Sequence, residues 1–225
     1  MSIESKKEIA LEIAHVLFID IVGYSKFSIN DQNAAVEELT QVVRGSEQFQ
    51  KAEAASRLLK IATGDGMALV FYTSPEAPAQ CAVEISRACK DHPRLQLRMG
   101  IHSGPVSDVV DVNNRPNLAG GGLNIAQRVM DCGDAGHILL SKHVAEDLEE
   151  YDQWRPLLHD LGAYEIKTRS TCWRGKSLRG SSRQSAAAEK VPGGGETSQP
   201  SALGGDDGGV ARDCSHNRRY CNGVP

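Results

Sequence analysis

The sequence contains no apolar run near the roughly 20 residues that a membrane-spanning helix requires. Residues 1–8 are charged and hold no apolar segment of the kind that forms the core of a secretion signal. These two absences predict a cytoplasmic protein that does not contact a membrane.

The six cysteines show no spacing typical of metal ligands. In a cytoplasmic chain, cysteines without such spacing are expected to be free thiols rather than disulfides. A structural zinc site and a disulfide framework are therefore both excluded as the basis of the fold.

An excess of positive charge is also missing, since the net charge is −4. Residues 168–225 hold nine Lys and Arg against five Asp and Glu, so the remaining residues hold sixteen against twenty-four. An acidic main domain argues against nucleic acid as a partner. It is compatible with a domain that binds metal cations.

Two aspartates are the most informative residues that are present. Asp20 ends an apolar run over 15–22, and Asp65 lies in a Thr-Gly-Asp-Gly turn at 63–66 between two further apolar runs. If these runs pair as strands, both carboxylates project at one end of one sheet, where they could hold divalent cations against a phosphate chain. Taken singly, Asp20 could instead cap the following helix, and Asp65 could serve only the turn.

The order of apolar patterns predicts an α+β sandwich with a mainly antiparallel sheet covered by helices. Within it, helical spacing over 31–55 predicts one helix with Asn30 or Asp31 as its N-cap. Residues 103–105 read as the turn of a hairpin between strands at 95–102 and 106–112.

Beyond residue 167 the sequence becomes rich in Gly, Ser and Arg and loses its periodicity, which predicts a disordered tail over 168–225. The change falls inside a predicted closing hairpin. A natural flexible tail and a reading-frame error after Lys167 are both open explanations.

Four motifs in order, at 18–25, 63–66, 99–105 and 124–130, make residues 14–167 resemble a class III nucleotidyl cyclase catalytic domain, preceded by a segment at 1–13. The resemblance implies a ferredoxin-like βαββαβ core that works as a head-to-tail homodimer. The implied activity is conversion of a nucleoside triphosphate, ATP by default, to a 3′,5′-cyclic nucleotide and pyrophosphate.

The resemblance also implies roles for individual residues. Asp20 and Asp65, with the Ile21 carbonyl, would bind two Mg²⁺ or Mn²⁺ ions. Asn124 would orient the ribose, and Arg128 would stabilise charge on the α-phosphate held by the partner's aspartates. The implied triphosphate contacts are the backbone amides of Val22, Gly23, Tyr24 and Ser25, and the side chain of Lys167.

Two positions depart from the family pattern. Ile61 and Asn117 stand where adenylate and guanylate cyclases carry their base-selecting residues, and Lys60 beside Ile61 is expected to point to the opposite face of its strand. The sequence therefore leaves the choice between ATP and GTP open. It also leaves open a second function, a cyclase-like nucleotide-binding or interaction module without activity.

Overall fold

The computed structural model describes residues 11–110, 116–165 and 172–178. Thirteen strands and α-helices lie within these residues. In chain order they are β1 (Glu12–Ile21), α1 (Ile29–Arg44), α2 (Glu47–Ala54), β2 (Leu58–Ala62), β3 (Gly66–Phe71), α3 (Glu76–Ala88), β4 (Leu97–Val110), β5 (Pro116–Ala119), α4 (Gly121–Asp131), β6 (Ile138–Leu140), α5 (Lys142–Glu149), β7 (Leu158–Glu165) and β8 (Cys172–Leu178).

The strands form one sheet in the order β2-β3-β1-β4-β6-β8-β7, and β5 pairs with β4. All neighbours are antiparallel except β4 and β6, which are parallel. Elements β1 to β4, with their helices, give the βαββαβ connectivity. The predicted fold class, an α+β sandwich with a ferredoxin-like core, is confirmed.

Strand β1 is buried on both faces because it lies in the middle of the sheet. Leu17 and Ile19 face a layer made by α1, α2, α3 and α5, which we call the first face. Val16 and Phe18 face α4 and β5, which cover the second face. This division follows from the period of two along a strand, and it places Asp20 on the same face as Phe18.

The single helix predicted over 31–55 is wrong, because two helices meet at Gly45 and Ser46. The Ser46 hydroxyl accepts a hydrogen bond from the Phe49 N–H at 3.2 Å and starts α2. Helix α1 begins earlier than predicted, since Ser28 is its N-cap.

The turn predicted at 103–105 is also wrong, because β4 runs unbroken from Leu97 to Val110. Its pairing with β1 continues as far as Val106. Gly104 serves helix packing rather than a turn, since a Cβ there would lie 3.2 Å from the Gly122 Cα of α4.

Strand β8 lies inside the segment predicted to be disordered, so the structure departs from that prediction over Cys172–Leu178. It pairs with β6 on one side and β7 on the other. The three-residue strand β6 lies between β4 and β8, so without β8 its edge away from β4 would be unpaired. The rest of the 168–225 segment lies outside the described residues.

None of the helices in the described residues combines the length and apolar character needed to cross a membrane.

Gly100 of β4 sets how closely α4 approaches the sheet. A Cβ at Gly100 would lie 2.4 Å from the Met130 backbone nitrogen and 2.7 Å from its Cα. Because these are backbone atoms of a packed helix, we expect Gly100→Ala to lower the free energy of unfolding by about 3 kcal/mol. Urea denaturation followed by circular dichroism measures this loss.

The matched control is Gly121→Ala, at the exposed start of the same helix, where an added Cβ would meet no atom within 4 Å. We expect it to change stability by less than about 0.5 kcal/mol. Equal effects of the two substitutions would show that contact with Met130 does not limit the approach of α4.

Candidate active site

Asp20 and Asp65 come together where β1 ends and β3 begins. Asp20 pairs in register with Gly66, and the Ile21 N–H donates to the Asp65 carbonyl oxygen at 3.0 Å. A Cβ on Gly66 would lie 2.0 Å from the Ile19 carbonyl oxygen, so only glycine permits this approach. The predicted placement of both carboxylates at one end of the sheet agrees with this geometry.

The electrostatics of this pair favour a bound cation. Asp20 is 7% exposed. Burial raises the pKa of Asp20, the hydrogen bond from Arg98 opposes the shift, and the nearby Asp65 carboxylate adds to it. A divalent cation between the carboxylates would remove their repulsion, so the donor set fits a hard ion such as Mg²⁺ or Mn²⁺.

The described ranges contain no group of three or more His, Cys, Asp or Glu arranged to hold a metal. A cation at Asp20 and Asp65 would therefore need further oxygen ligands, from backbone carbonyls, water or a bound phosphate. This requirement is typical of sites that bind Mg²⁺ together with substrate phosphates.

The segment after β1 turns sharply at Gly23, whose φ is 78°, and continues as a short 3₁₀ helix, Tyr24–Lys26. The Val22 N–H donates to the Gln96 carbonyl oxygen at 2.8 Å, so Val22 does not offer the amide that was predicted to contact phosphate. The amides of Gly23, Tyr24 and Ser25 stand at the start of this helix, where N–H groups have no acceptor within the helix.

Helix α4 carries the two residues predicted to act on ribose and α-phosphate. Asn124 and Arg128 are exposed and lie four residues apart, hence on one side of the helix. Ala126 and Met130 on the other side pack against the second face of the sheet, the face on which Asp20 lies.

Sequence reasoning missed Arg98 and Asp131. Arg98 lies opposite Asp20 in the β1–β4 register, and its Nε donates to Asp20 Oδ2 at 2.7 Å. Its terminal nitrogen lies 3.4 Å from Oδ1 of Asp131, the last residue of α4. The only signal in the sequence was the position of Arg98 immediately before the 99–105 motif.

The structure separates Ile61 from Lys60 as the strand period predicted. Ile61 is half-buried and packs against the cluster on the second face. Lys60 points to the first face, where its Nζ lies 2.5 Å from Glu53 and 5.8 Å from the centre of the Phe49 ring. Lys60 therefore cannot replace a base-reading side chain at position 61.

Two further residues were predicted to contact the substrate, Asn117 and Lys167. Asn117 lies in β5, paired with Val109 of β4. Lys167 lies outside the described residues.

His102 in the 99–105 motif is a structural residue. It is 4% exposed, and its Nδ1 lies 2.9 Å from the Ser141 hydroxyl. Burial lowers the pKa of His102 to about 4, and the charge of His143 acts in the same direction. A buried neutral imidazole bonded to the serine at the N-cap position of α5 stabilises the junction of β6 and α5.

This pKa predicts that His102 makes folding sensitive to acid. The unfolded chain binds a proton near the ordinary value of 6.5, whereas the folded chain does so only near pH 4. The neutral imidazole therefore makes its full contribution to the free energy of unfolding above about pH 7. This contribution is lost as the pH falls from 6.5 to 4, and the loss reaches about 3 kcal/mol. Urea denaturation at pH 7.5 and pH 5 measures the difference.

In His102→Gln this part of the pH dependence should disappear, while His143→Gln, whose side chain is 70% exposed, should retain it. An unchanged pH dependence in His102→Gln would assign the acid sensitivity to other groups.

A cleft of about 470 Å³ lies away from the aspartates, between α1, α2 and α3. One carboxylate in its lining has a role in folding: Glu84 of α3 accepts from the Ser46 hydroxyl at 2.7 Å and from the Gln48 N–H at 3.1 Å. A carboxylate at the N-terminus of α2 stabilises that helix. The presence of Glu84 in the cleft is therefore explained without a ligand.

Solved structures with a similar fold include cyclase domains. The guanylate cyclase domain of RhGC from Catenaria anguillulae, in complex with GTP, has a TM-score of 0.62 and 22% identity, over 76% of this chain and 98% of that one. The adenylyl cyclase CyaB from P. aeruginosa has a TM-score of 0.60 and 18% identity, over 78% of this chain and 98% of that one.

Sequence comparison points the same way. "Putative adenylate cyclase 3" of Rhizobium meliloti (strain 1021) is 27% identical over 179 residues, which cover 72% of this chain. The chain spans 27% of the length of that relative. The family described as "Adenylate and Guanylate cyclase catalytic domain" matches residues 7–177. The chain therefore belongs to the adenylate and guanylate cyclase catalytic domain family.

Proposed function

We propose that this chain converts a nucleoside triphosphate, with ATP as the default substrate, to a 3′,5′-cyclic nucleotide and pyrophosphate. The observation that carries the proposal is the convergence of the Asp20 and Asp65 carboxylates at one sheet end. The raised pKa of Asp20 reflects burial and a neighbouring negative charge. A site of this kind is suited to cations that carry phosphate.

In this proposal Asp20, Asp65 and the Ile21 carbonyl would hold two Mg²⁺ or Mn²⁺ ions. When bound, the ions would supply charge stabilisation for the attacking 3′-oxygen and the leaving pyrophosphate. The amides of Gly23, Tyr24 and Ser25 are the backbone donors available to phosphate oxygens beside them.

The two α4 residues would act from the second protomer of a head-to-tail homodimer. Asn124 would orient the ribose, and the Arg128 guanidinium would stabilise charge that develops on the α-phosphate. Their exposure on α4 supports action across an interface. A guanylyl cyclase domain of the RhoGC fusion protein from Blastocladiella emersonii, 23% identical to this chain with a TM-score of 0.60, forms a non-canonical dimer, which supports dimerisation but not the head-to-tail arrangement.

We further propose that the site discriminates poorly between purine bases. Ile61 offers no hydrogen bond to a base edge, and Lys60 is paired with Glu53 on the other face. Asn117 remains the one polar residue assigned to the base. A site that lacks a polar reader loses the large discrimination that buried hydrogen bonds provide.

The same observation favours a second candidate function, a cyclase-like module that binds nucleotide or a protein partner without turnover. One experiment separates the two functions: purified residues 1–225 are incubated with Mn²⁺ and either ATP or GTP, and cyclic product is measured. We expect product from both, with values of kcat/KM within about tenfold of each other. A folded dimer that forms no product from either would support the module instead.

A further inference from the structure

Gln32, in the first turn of α1, bonds to the short 3₁₀ helix that follows β1. Its side-chain nitrogen donates to the Tyr24 carbonyl oxygen and to the Phe27 carbonyl oxygen, each at 3.3 Å. A glutamine side chain carries two N–H groups, so one hydrogen is available for each carbonyl. Because Tyr24 begins the 3₁₀ helix and Phe27 follows its last residue, Gln32 joins both ends of this helix to α1.

The hydrogen bonds inside the 3₁₀ helix keep its shape but do not fix its direction relative to α1. The Phe27 N–H donates to the Tyr24 carbonyl oxygen at 3.0 Å, and this bond would move with the helix as a unit. Within the described residues, Gln32 makes the only side-chain hydrogen bonds to the backbone of 23–27. The Tyr24 and Phe27 rings also pack on the first face, but apolar packing is not directional.

The carbonyls that Gln32 binds determine where the neighbouring amides point. Peptide groups are planar and trans, so a carbonyl and the N–H of the next residue point in opposite directions. Since the Tyr24 carbonyl is held towards Gln32, the Ser25 N–H points away from Gln32, and Ser25 is exposed. The Ser25 N–H is one of the three amides that the proposed function assigns to phosphate. Gln32 therefore orients that amide through a single peptide group.

We propose that Gln32 is a positioning residue for the triphosphate, which holds the amides of 23–25 in place without touching the substrate. The inference rests on the proposed function, because it assumes that these amides bind phosphate. Donors that are ordered before binding need not be ordered by the substrate, so loss of Gln32 should weaken binding. Since the same donors serve the ground state and the transition state, the loss should appear in KM and not in kcat.

The kinetic test uses the full chain with Mn²⁺ and ATP. Gln32→Met keeps the length of the side chain and suits a helix, but it removes both donors. We expect KM to rise about tenfold, with kcat within about twofold of the wild-type value. Asn33→Met is the matched control, because it replaces the exposed amide of the next residue on α1, and it should leave KM unchanged.

Two further measurements do not depend on turnover. The Kd of inorganic tripolyphosphate, a probe without base or ribose, should rise about tenfold in Gln32→Met when measured by calorimetry with Mn²⁺ present. Hydrogen exchange of the nucleotide-free chain should be several-fold faster at the Phe27 amide, which is bonded inside the 3₁₀ helix. If Gln32→Met does not fold, Gln32→Ala takes its place, since it removes the same donors and favours the helix.

Failure of the inference and failure of the proposed function give different results. If the wild-type chain neither forms cyclic product nor binds tripolyphosphate, both fail. If it binds tripolyphosphate without forming product, the proposed function fails, and the Kd values of the variants still decide the inference. If the wild-type chain is active but Gln32→Met keeps its KM and its Kd, only the inference is overturned. A lower kcat or a lower stability at unchanged KM would also overturn it, because Gln32 would then be merely structural.

Discussion

Replacement of Asp20 or Asp65 by alanine should reduce cyclic nucleotide formation by at least about 10³-fold. Each substitution removes one of the two carboxylates at the sheet end, and losing metal-based charge stabilisation costs several kcal/mol in the transition state. Initial rates with Mn²⁺ and a saturating nucleoside triphosphate measure the effect. Asp91→Ala, an exposed aspartate beyond α3, is the matched control and should retain full activity.

The expected loss must be separated from unfolding. Asp20→Ala leaves the Arg98 guanidinium without its buried partner, so Asp20→Asn, which keeps an accepting oxygen, is the closer replacement. Asp65 contributes its backbone carbonyl to the Ile21 N–H, and alanine preserves that bond. A folded variant at either position with normal turnover would contradict the metal assignment.

A mixture of two inactive variants should regain activity. Asp65→Ala removes a metal ligand and should lower the rate by at least about 10³-fold, and Arg128→Ala removes the guanidinium and should lower it by about 10²-fold or more. If one site combines residues of two protomers, a heterodimer contains one intact site and one site with both defects. Random pairing of equal amounts makes half of the dimers heterodimers, so about a quarter of wild-type activity should return.

Heterodimer formation can be followed with two affinity tags, and activity can be measured on the doubly purified species. A mixture of Asp20→Ala with Asp65→Ala is the control, because both defects lie in the same half of the site and no intact site forms. Absence of rescue in verified heterodimers would contradict the head-to-tail arrangement. Rescue in the control mixture would contradict the assignment of both aspartates to one protomer.

The elements that were predicted correctly are those with a strong local pattern. Three examples are the buried run of β1, the Asp-Gly turn before β3 and the amphipathic helix α4. Each can be recognised from a few consecutive residues, by its hydrophobic period or by its turn residues. Local patterns failed where a residue type has two uses. Gly104 beside a proline suggested a turn, whereas the glycine makes room for Gly122 of α4.

The sequence by itself determined the α+β class, the placement of Asp20 and Asp65 at strand ends, and the opposite directions of Lys60 and Ile61. These follow from periods of two and 3.6 residues, which the chain carries locally. Only the tertiary structure decided that Arg98 bridges Asp20 and Asp131. That bridge joins residues 78 and 33 positions apart through strand register and helix packing, which depend on contacts between distant segments and leave no mark in a short stretch of sequence.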